Sequence, residues 1–254
     1  MQHNYSRICS ITKGHRPRHL ICFKQWTSGM VLDILISAMN LKCRMRDSHN
    51  QKLNVIPNTK VMILQEVNEP ILNMAVSKAA SLLGASDVNI TDDLVWEHDY
   101  NGRIFSAMAD VIFVSTKTHM CIQRFANKSS VPVLCMRSRT HASIQSLATI
   151  MSIMEEYGTM RGVNVAYVGP PHPVLNSYLL LCPMLGANIR FKCGCKEINK
   201  LTCYRWIFFH TCPRGEEVDD VLFWNCNART FNAFQNMHYI AAALMANSIM
   251  GYKF

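Results

Sequence analysis

Apolar residues along this chain keep two rhythms in turn, a spacing near 3.6 over long stretches and short unbroken runs of strand length. Val31, Leu32, Leu35, Ile36 and Met39 predict a helix over residues 20–43, with Thr27 or Ser28 able to cap its start. A polar link over 44–58 separates it from the compact run Val61-Met62-Ile63-Leu64. A helix over 69–83 follows, which Gly84 can end. Val88–Ile90, Val111–Val114 and Val131–Leu134 predict further strands with helices between them. The segment Ser143–Tyr157 predicts a long helix stopped by Gly158. The rhythm then restarts with a strand over Val163–Gly169, a helix to Leu185 capped by Gly186, and a strand over Asn188–Phe191. Trp206–Phe209 predicts a last strand, and the chain closes with a helix over Phe234–Met250, in which Ile240, Ala243, Leu244, Ala246 and Asn247 leave one face apolar. Strands alternating with helices imply crossover connections, and so an α/β fold whose parallel sheet is covered on both faces.

Composition narrows the function classes. At 254 residues the chain can bury a core as one large domain or two smaller ones. The net charge of +9 comes from scattered basic residues with no interleaved aromatic run, which argues against nucleic acid as a partner. No stretch of 18 apolar residues predicts a membrane span. Eleven cysteines, an odd number in a chain too large to need staples, favour reduced thiols in an intracellular compartment. Cys193, Cys195, Cys203 and Cys212 match no common zinc spacing, so free thiols and no metal are expected. Residues 1–32 contain no acid and carry Arg7, Lys13, Arg16, Arg18 and Lys24 beside Ser6 and Ser10. That composition fits either a mitochondrial transit segment or a short basic tail.

Two loops carry candidate chemistry. Gly169-Pro170-Pro171-His172-Pro173 occupies a strand-to-helix position, but three prolines remove the backbone donors a dinucleotide loop needs. His210-Thr211-Cys212-Pro213-Arg214, running into Glu216-Glu217-Val218-Asp219-Asp220, lies beyond the predicted last strand. It fits either the rim of a ligand crevice or an ordinary turn whose acids complement a helix start.

This last segment resembles the His-Cys-Leu-Pro-Arg loop and Glu-Glu-Val-Asp-Asp continuation of the ornithine carbamoyltransferases. Ser106-Ala107-Met108-Ala109-Asp110 is similar to the family's Ser-Ser-Met-Ala-Asp segment. Ser81–Gly84 is similar to the end of its first active-site helix, and Ile144-Gln145-Ser146-Leu147-Ala148 to the region following its His-Pro-Ile-Gln motif. The order and spacing of these segments run nearly end to end. The resemblance implies two doubly wound parallel-sheet domains, the second shortened, with a C-terminal helix returning to the first. The expected divisions are a basic segment over 1–17, a carbamoyl-phosphate-type domain over 18–158, an ornithine-type domain over 159–232 and the closing helix over 233–254. It also implies transfer of a carbamoyl group from carbamoyl phosphate to ornithine without metal or organic cofactor, trimers with active sites at subunit interfaces, and a mitochondrial matrix location. The location would be cytoplasmic if the N-terminus is not a transit segment.

That chemistry needs cationic groups on the phosphate and donors on the carbonyl oxygen. Here the family's Ser-Thr-Arg-Thr-Arg motif falls on Glu69-Pro70-Ile71-Leu72-Asn73. The Arg after the third strand falls on Ser115, the Arg before the closing helix on Met237, and the His of His-Pro-Ile-Gln on Ala142, with His141 one position earlier. The Asn pair of the ornithine domain falls on His172 and Pro173, and Cys193–Tyr204 is too short for the loop that grips the amino acid. Losing four phosphate arginines forfeits on the order of 6 kcal/mol, or about four decades of affinity. Gln145, Thr211 and Cys212 remain as residual substrate-binding positions, and no catalytic set is intact. The expectation is a divergent member with impaired catalysis. The alternatives are an active enzyme with a rebuilt site, a partner in mixed trimers with an active relative, and a decaying copy that folds poorly.

Overall fold

Four parallel strands in the order β2-β1-β3-β4 form the main sheet of the protein in a computed structural model that describes residues 19–47, 52–92, 100–192 and 205–254. They are β1 (Lys60–Gln65), β2 (Asp87–Thr91), β3 (Val111–Ser115) and β4 (Val133–Arg137). Val61 pairs with Val88 on one side and Val111 on the other, so β1 is a central strand, and five of its six residues are buried. Alternation splits the buried strand residues between two faces. Val61, Ile63, Val111, Phe113, Leu134 and Met136 face one core, and Met62, Leu64, Ile112, Val114, Val133 and Cys135 face the other. An apolar run with no polar alternation is what a sheet covered on both sides requires.

Helices α1 (Ser28–Asp47), α2 (Pro70–Leu83), α3 (Asn101–Met108), α4 (His119–Lys128) and α5 (Ser143–Tyr157) connect and cover these strands. Gly102 lets α3 lie against the end of α4, since a Cβ there would sit 2.5 Å from the Phe125 carbonyl oxygen. A second parallel sheet pairs β5 (Asn164–Val168) with β6 (Asn188–Lys192), joined by α6 (Pro173–Met184). The short α7 (Asp220–Phe223) precedes α8 (Thr230–Met250), which packs against α1, α2 and α5. The α/β class, the crossover helices and the returning C-terminal helix therefore match the expectation.

Five details differ. The first helix begins at Ser28 rather than near residue 20, with Thr27 Oγ1 accepting from the Met30 amide at 3.3 Å. Leu20 instead runs beside β4, donating to the Val133 carbonyl (3.0 Å) and accepting from the Cys135 amide (2.7 Å), and Phe23–Gln25 forms a 3-10 turn. Strand β4 starts at Val133, beyond Pro132, which lacks an N–H. Trp206–Phe209 is not a strand. Only Phe208 is bridged, to Ala228, because the segment before α8 takes both its backbone groups, Phe208 donating to Asn227 (3.0 Å) and accepting from Arg229 (2.8 Å). Helix α8 starts at Thr230, four residues early, and is buried on every side from Ile240 to Asn247 rather than on one stripe, since three helices surround it. The expectations for the basic segment 1–17, for Cys193, Cys195 and Cys203, and for the interval 193–204 lie outside the described residues.

Candidate functional site

The order β2-β1-β3-β4 reverses direction between β1 and β3, and the crevice beyond the carboxyl ends of such strands is where open α/β sheets bind ligands. A cavity of about 600 Å³ opens there, walled by Glu69, Ser115–Lys117 and Arg137–Arg139 and closed across by Pro171–Pro173 and Asn176 at the start of α6. Glu66, just past β1, accepts from the Thr116 hydroxyl (2.7 Å) and the Lys117 amide (2.9 Å), tying the β1 and β3 loops together. The Asn176 amide donates to the Thr140 carbonyl at 3.0 Å, tying α6 to the loop after β4.

Charge in the cleft is mixed. Glu69 is the N-cap of α2, its side chain makes no capping bond, and its carboxylate pairs with Arg137 at 2.8 Å. Lys117 and Arg139 have no carboxylate within ion-pair distance among the described residues. The Ser115 hydroxyl is buried without a hydrogen-bond partner among the described residues. His172 caps α6, its Nδ1 accepting from the Val174 amide at 3.2 Å. Burial first and the Arg137 charge second push its pKa down to about 4, so this imidazole is neutral at pH 7.

Gln145, Thr211 and Cys212 come together but do not line this cleft. Gln145, on α5, donates from Nε2 to the Thr211 carbonyl at 3.3 Å. Cys212 donates its amide to His210 Nδ1 at 3.0 Å, which leaves His210 Nε2 as the donor to Glu217 at 2.8 Å. Burial, and then Glu217, raise the Cys212 thiol pKa. Arg214 reaches the Val218 carbonyl (3.0 Å) and Asp220 (2.6 Å) and lies over the Phe223 ring, 4.8 Å from its centroid. Phe208, Val218 and Phe223 form a small core under this loop. The polar groups of 208–220 are thus largely spent on one another, which favours the structural reading of the segment.

Other aligned positions are largely committed, although Asn73 Oδ1 is buried without a partner among the described residues. The Asn73 amide donates to Gln65 Oε1 at 2.7 Å. Ala142 is buried, and its amide donates to the Ser177 hydroxyl at 3.1 Å. His141 is 5% exposed with Nδ1 3.5 Å from Ser177 Oγ, so it does not face the cleft as a substitute for the missing His. Met237 lies inside α8 rather than before it, and is buried. Sequence reasoning missed Lys117, Arg137 and Arg139. The available signal was a pair of arginines flanking Ser138 at the end of a strand. It also missed a cluster of Cys22, His119 and His141 whose ligand atoms lie together.

No family model matches the chain. The ornithine carbamoyltransferase of Prochlorococcus marinus (strain MIT 9312) is 27% identical over 173 residues, covering 66% of this chain and 54% of that relative, so the match spans about half the relative's length. The mitochondrial ornithine carbamoyltransferase of Aquarana catesbeiana is 19% identical over 99% of this chain and 91% of its own. Among solved structures, ornithine carbamoyltransferase from Pyrococcus furiosus superposes with a TM-score of 0.85 at 19% identity, covering 92% of this chain and 97% of that one. The catalytic subunit of M. jannaschii aspartate transcarbamoylase gives 0.79 at 16% identity, covering 92% and 98%.

Proposed function

We propose, from the premise that this chain belongs to the aspartate/ornithine carbamoyltransferase superfamily, that it is a carbamoyltransferase-like protein whose cleft no longer transfers a carbamoyl group from carbamoyl phosphate to ornithine. The observation that carries this reading is Glu69. It stands at the amino end of α2, where the family resemblance asks for phosphate-binding residues, and it holds Arg137 in an ion pair. A helix N-terminus attracts anions through its free amides and dipole, and a carboxylate placed there repels them. Asn73, in place of an arginine, is held by Gln65, and the Gln145 amide is turned to the Thr211 carbonyl. The groups that would grip the phosphate and polarise the carbonyl are therefore substituted or occupied.

Millimolar carbamoyl phosphate tests the reading through the melting temperature. A ligand present at 100 times its Kd stabilises a protein by about 2.7 kcal/mol. We expect no shift beyond that given by equal ionic strength of chloride, and a marked, saturable shift would overturn the proposal. A second reading, a working carbamoyltransferase with a rebuilt grip, is favoured by one observation: Lys117, Arg137, Arg139 and the unpartnered Ser115 hydroxyl all border the cleft.

The same superfamily reading extends to assembly and location. Ile71 (51% exposed) and Met74 (73%) on α2, with Ile90 (48%) on β2, leave apolar side chains uncovered, which supports a subunit contact there; the superfamily resemblance is the ground for proposing a trimer, of this chain alone or mixed with an active relative. The acid-free N-terminal composition and the mitochondrial relative support a matrix location.

A further inference from the structure

We infer that Cys22, His119 and His141 form a binding site for a zinc-class divalent cation behind the wall of the cleft. Their sulfur and imidazole nitrogen atoms all lie within 4.8 Å of one another. Zinc holds sulfur at about 2.3 Å and nitrogen at about 2.0–2.1 Å, which in a tetrahedron places ligands roughly 3.3–3.7 Å apart. The cluster therefore needs to contract by about an ångström, within reach of small side-chain rotations. The three residues come from separate elements: the stretch beside β4, the first residue of α4, and the loop leading into α5.

The surroundings suit a metal-bound imidazole pair. Ser138 Oγ lies 3.3 Å from His119 Nδ1, and Ser177 Oγ lies 3.5 Å from His141 Nδ1. Such outer contacts orient metal-bound imidazoles. Ser138 Oγ also accepts from the Thr140 (3.2 Å) and His141 (3.0 Å) amides, so the hydroxyl beside His119 is fixed by the loop backbone. The rings lie 5.2 Å apart between centroids, inclined at 63°. Burial lowers the pKa of both histidines, helped at His141 by His119 and at both by Lys24, and His141 falls to about 4. Both imidazoles are then neutral and able to coordinate at pH 7. Lys24 is the charged neighbour opposing a cation. It is exposed, and the thiolate formed on binding carries the compensating charge.

A thiolate with two imidazoles selects zinc over magnesium or calcium, which prefer oxygen ligands. On binding, the Cys22 S–H bond breaks, its proton passes to water, a sulfur–metal bond forms, and a water completes the fourth position. The metal would pin the start of α4 and the loop Ser138–His141 together; Ser138 and Arg139 of that loop, and Lys117 two residues before α4, wall the cleft.

The test uses the full chain, stripped with a chelator and reloaded with zinc or cobalt. We expect one zinc per chain after gel filtration, about one proton released per zinc, and a thiolate-to-cobalt charge-transfer band in the near ultraviolet. Cys22→Ser and His119→Gln should each remove the band and the zinc-induced rise in melting temperature. Ser138→Ala should weaken zinc by about 10- to 100-fold. Metal-free melts of each variant check the fold, and a second ligand variant stands in if one does not fold. A Cys193→Ser/Cys195→Ser variant should keep the metal. Zinc retained undiminished in Cys22→Ser, lost in the Cys193/Cys195 variant, or bound without a thiolate band would overturn the assignment.

Discussion

Glu69→Gln is the perturbation that bears most directly on the cleft, because it removes one negative charge while keeping the side chain's shape. The Arg137 and Glu69 side chains are 35% and 17% exposed, so their ion pair contributes at most about 1 kcal/mol to stability and its loss should be tolerated. What changes is the anion site. Arg137 becomes free to take phosphate oxygens, and a charge-assisted bond of that kind is worth about 1.5–3 kcal/mol, or about 10- to 150-fold in affinity. Relief of charge at the α2 N-terminus adds about 0.3–1 kcal/mol. Isothermal titration with inorganic phosphate and then carbamoyl phosphate should show tighter binding by Glu69→Gln, weakening with added salt. Glu69→Gln combined with Arg137→Ala should lose the larger part of the gain and keep only the helix-terminus contribution. Equal affinity for phosphate in Glu69→Gln and the unaltered protein would refute the reasoning.

Three further outcomes follow. His141 and His238 are nearly buried and their pKa values fall from 6.5 to about 4, so stability should be complete above pH 6.5 and lost as the pH falls toward 4, by at most about 3 kcal/mol each. Urea unfolding across that range in the presence of a chelator measures the slope, which His238→Gln should flatten. Gly102→Ala forces a Cβ against the Phe125 carbonyl and should cost about 1–3 kcal/mol, visible as a lower urea midpoint with an unchanged slope. The proposed trimer is tested by Met74→Glu: where α2 forms its contact, this variant should be a smaller species than the unaltered protein in light scattering, with circular dichroism intact.

Much of the fold was legible because its signals are local. Val61–Leu64 reveals a doubly covered strand by its unbroken apolar run, and Gly158, at φ +78°, marks the end of α5 at the residue expected. Trp206–Phe209 misled because an apolar run of strand length says nothing about whether a partner strand is present. Here the segment before α8 takes Phe208's backbone groups instead. The cationic side of the cleft was missed through register. Reading β4 as ending at Leu134 left Arg137 and Arg139 in an unplaced loop, whereas the strand carries Arg137 to the crevice edge. Cys22, His119 and His141 are distant in sequence, and periodicity carries no information about which loops meet.

The most direct measurement is citrulline formation by the purified protein with carbamoyl phosphate and ornithine both saturating, alongside the Arg137→Ala variant. No turnover above the uncatalysed background is expected in either. Turnover by the unaltered protein that Arg137→Ala abolishes would contradict this expectation and establish a rebuilt active site.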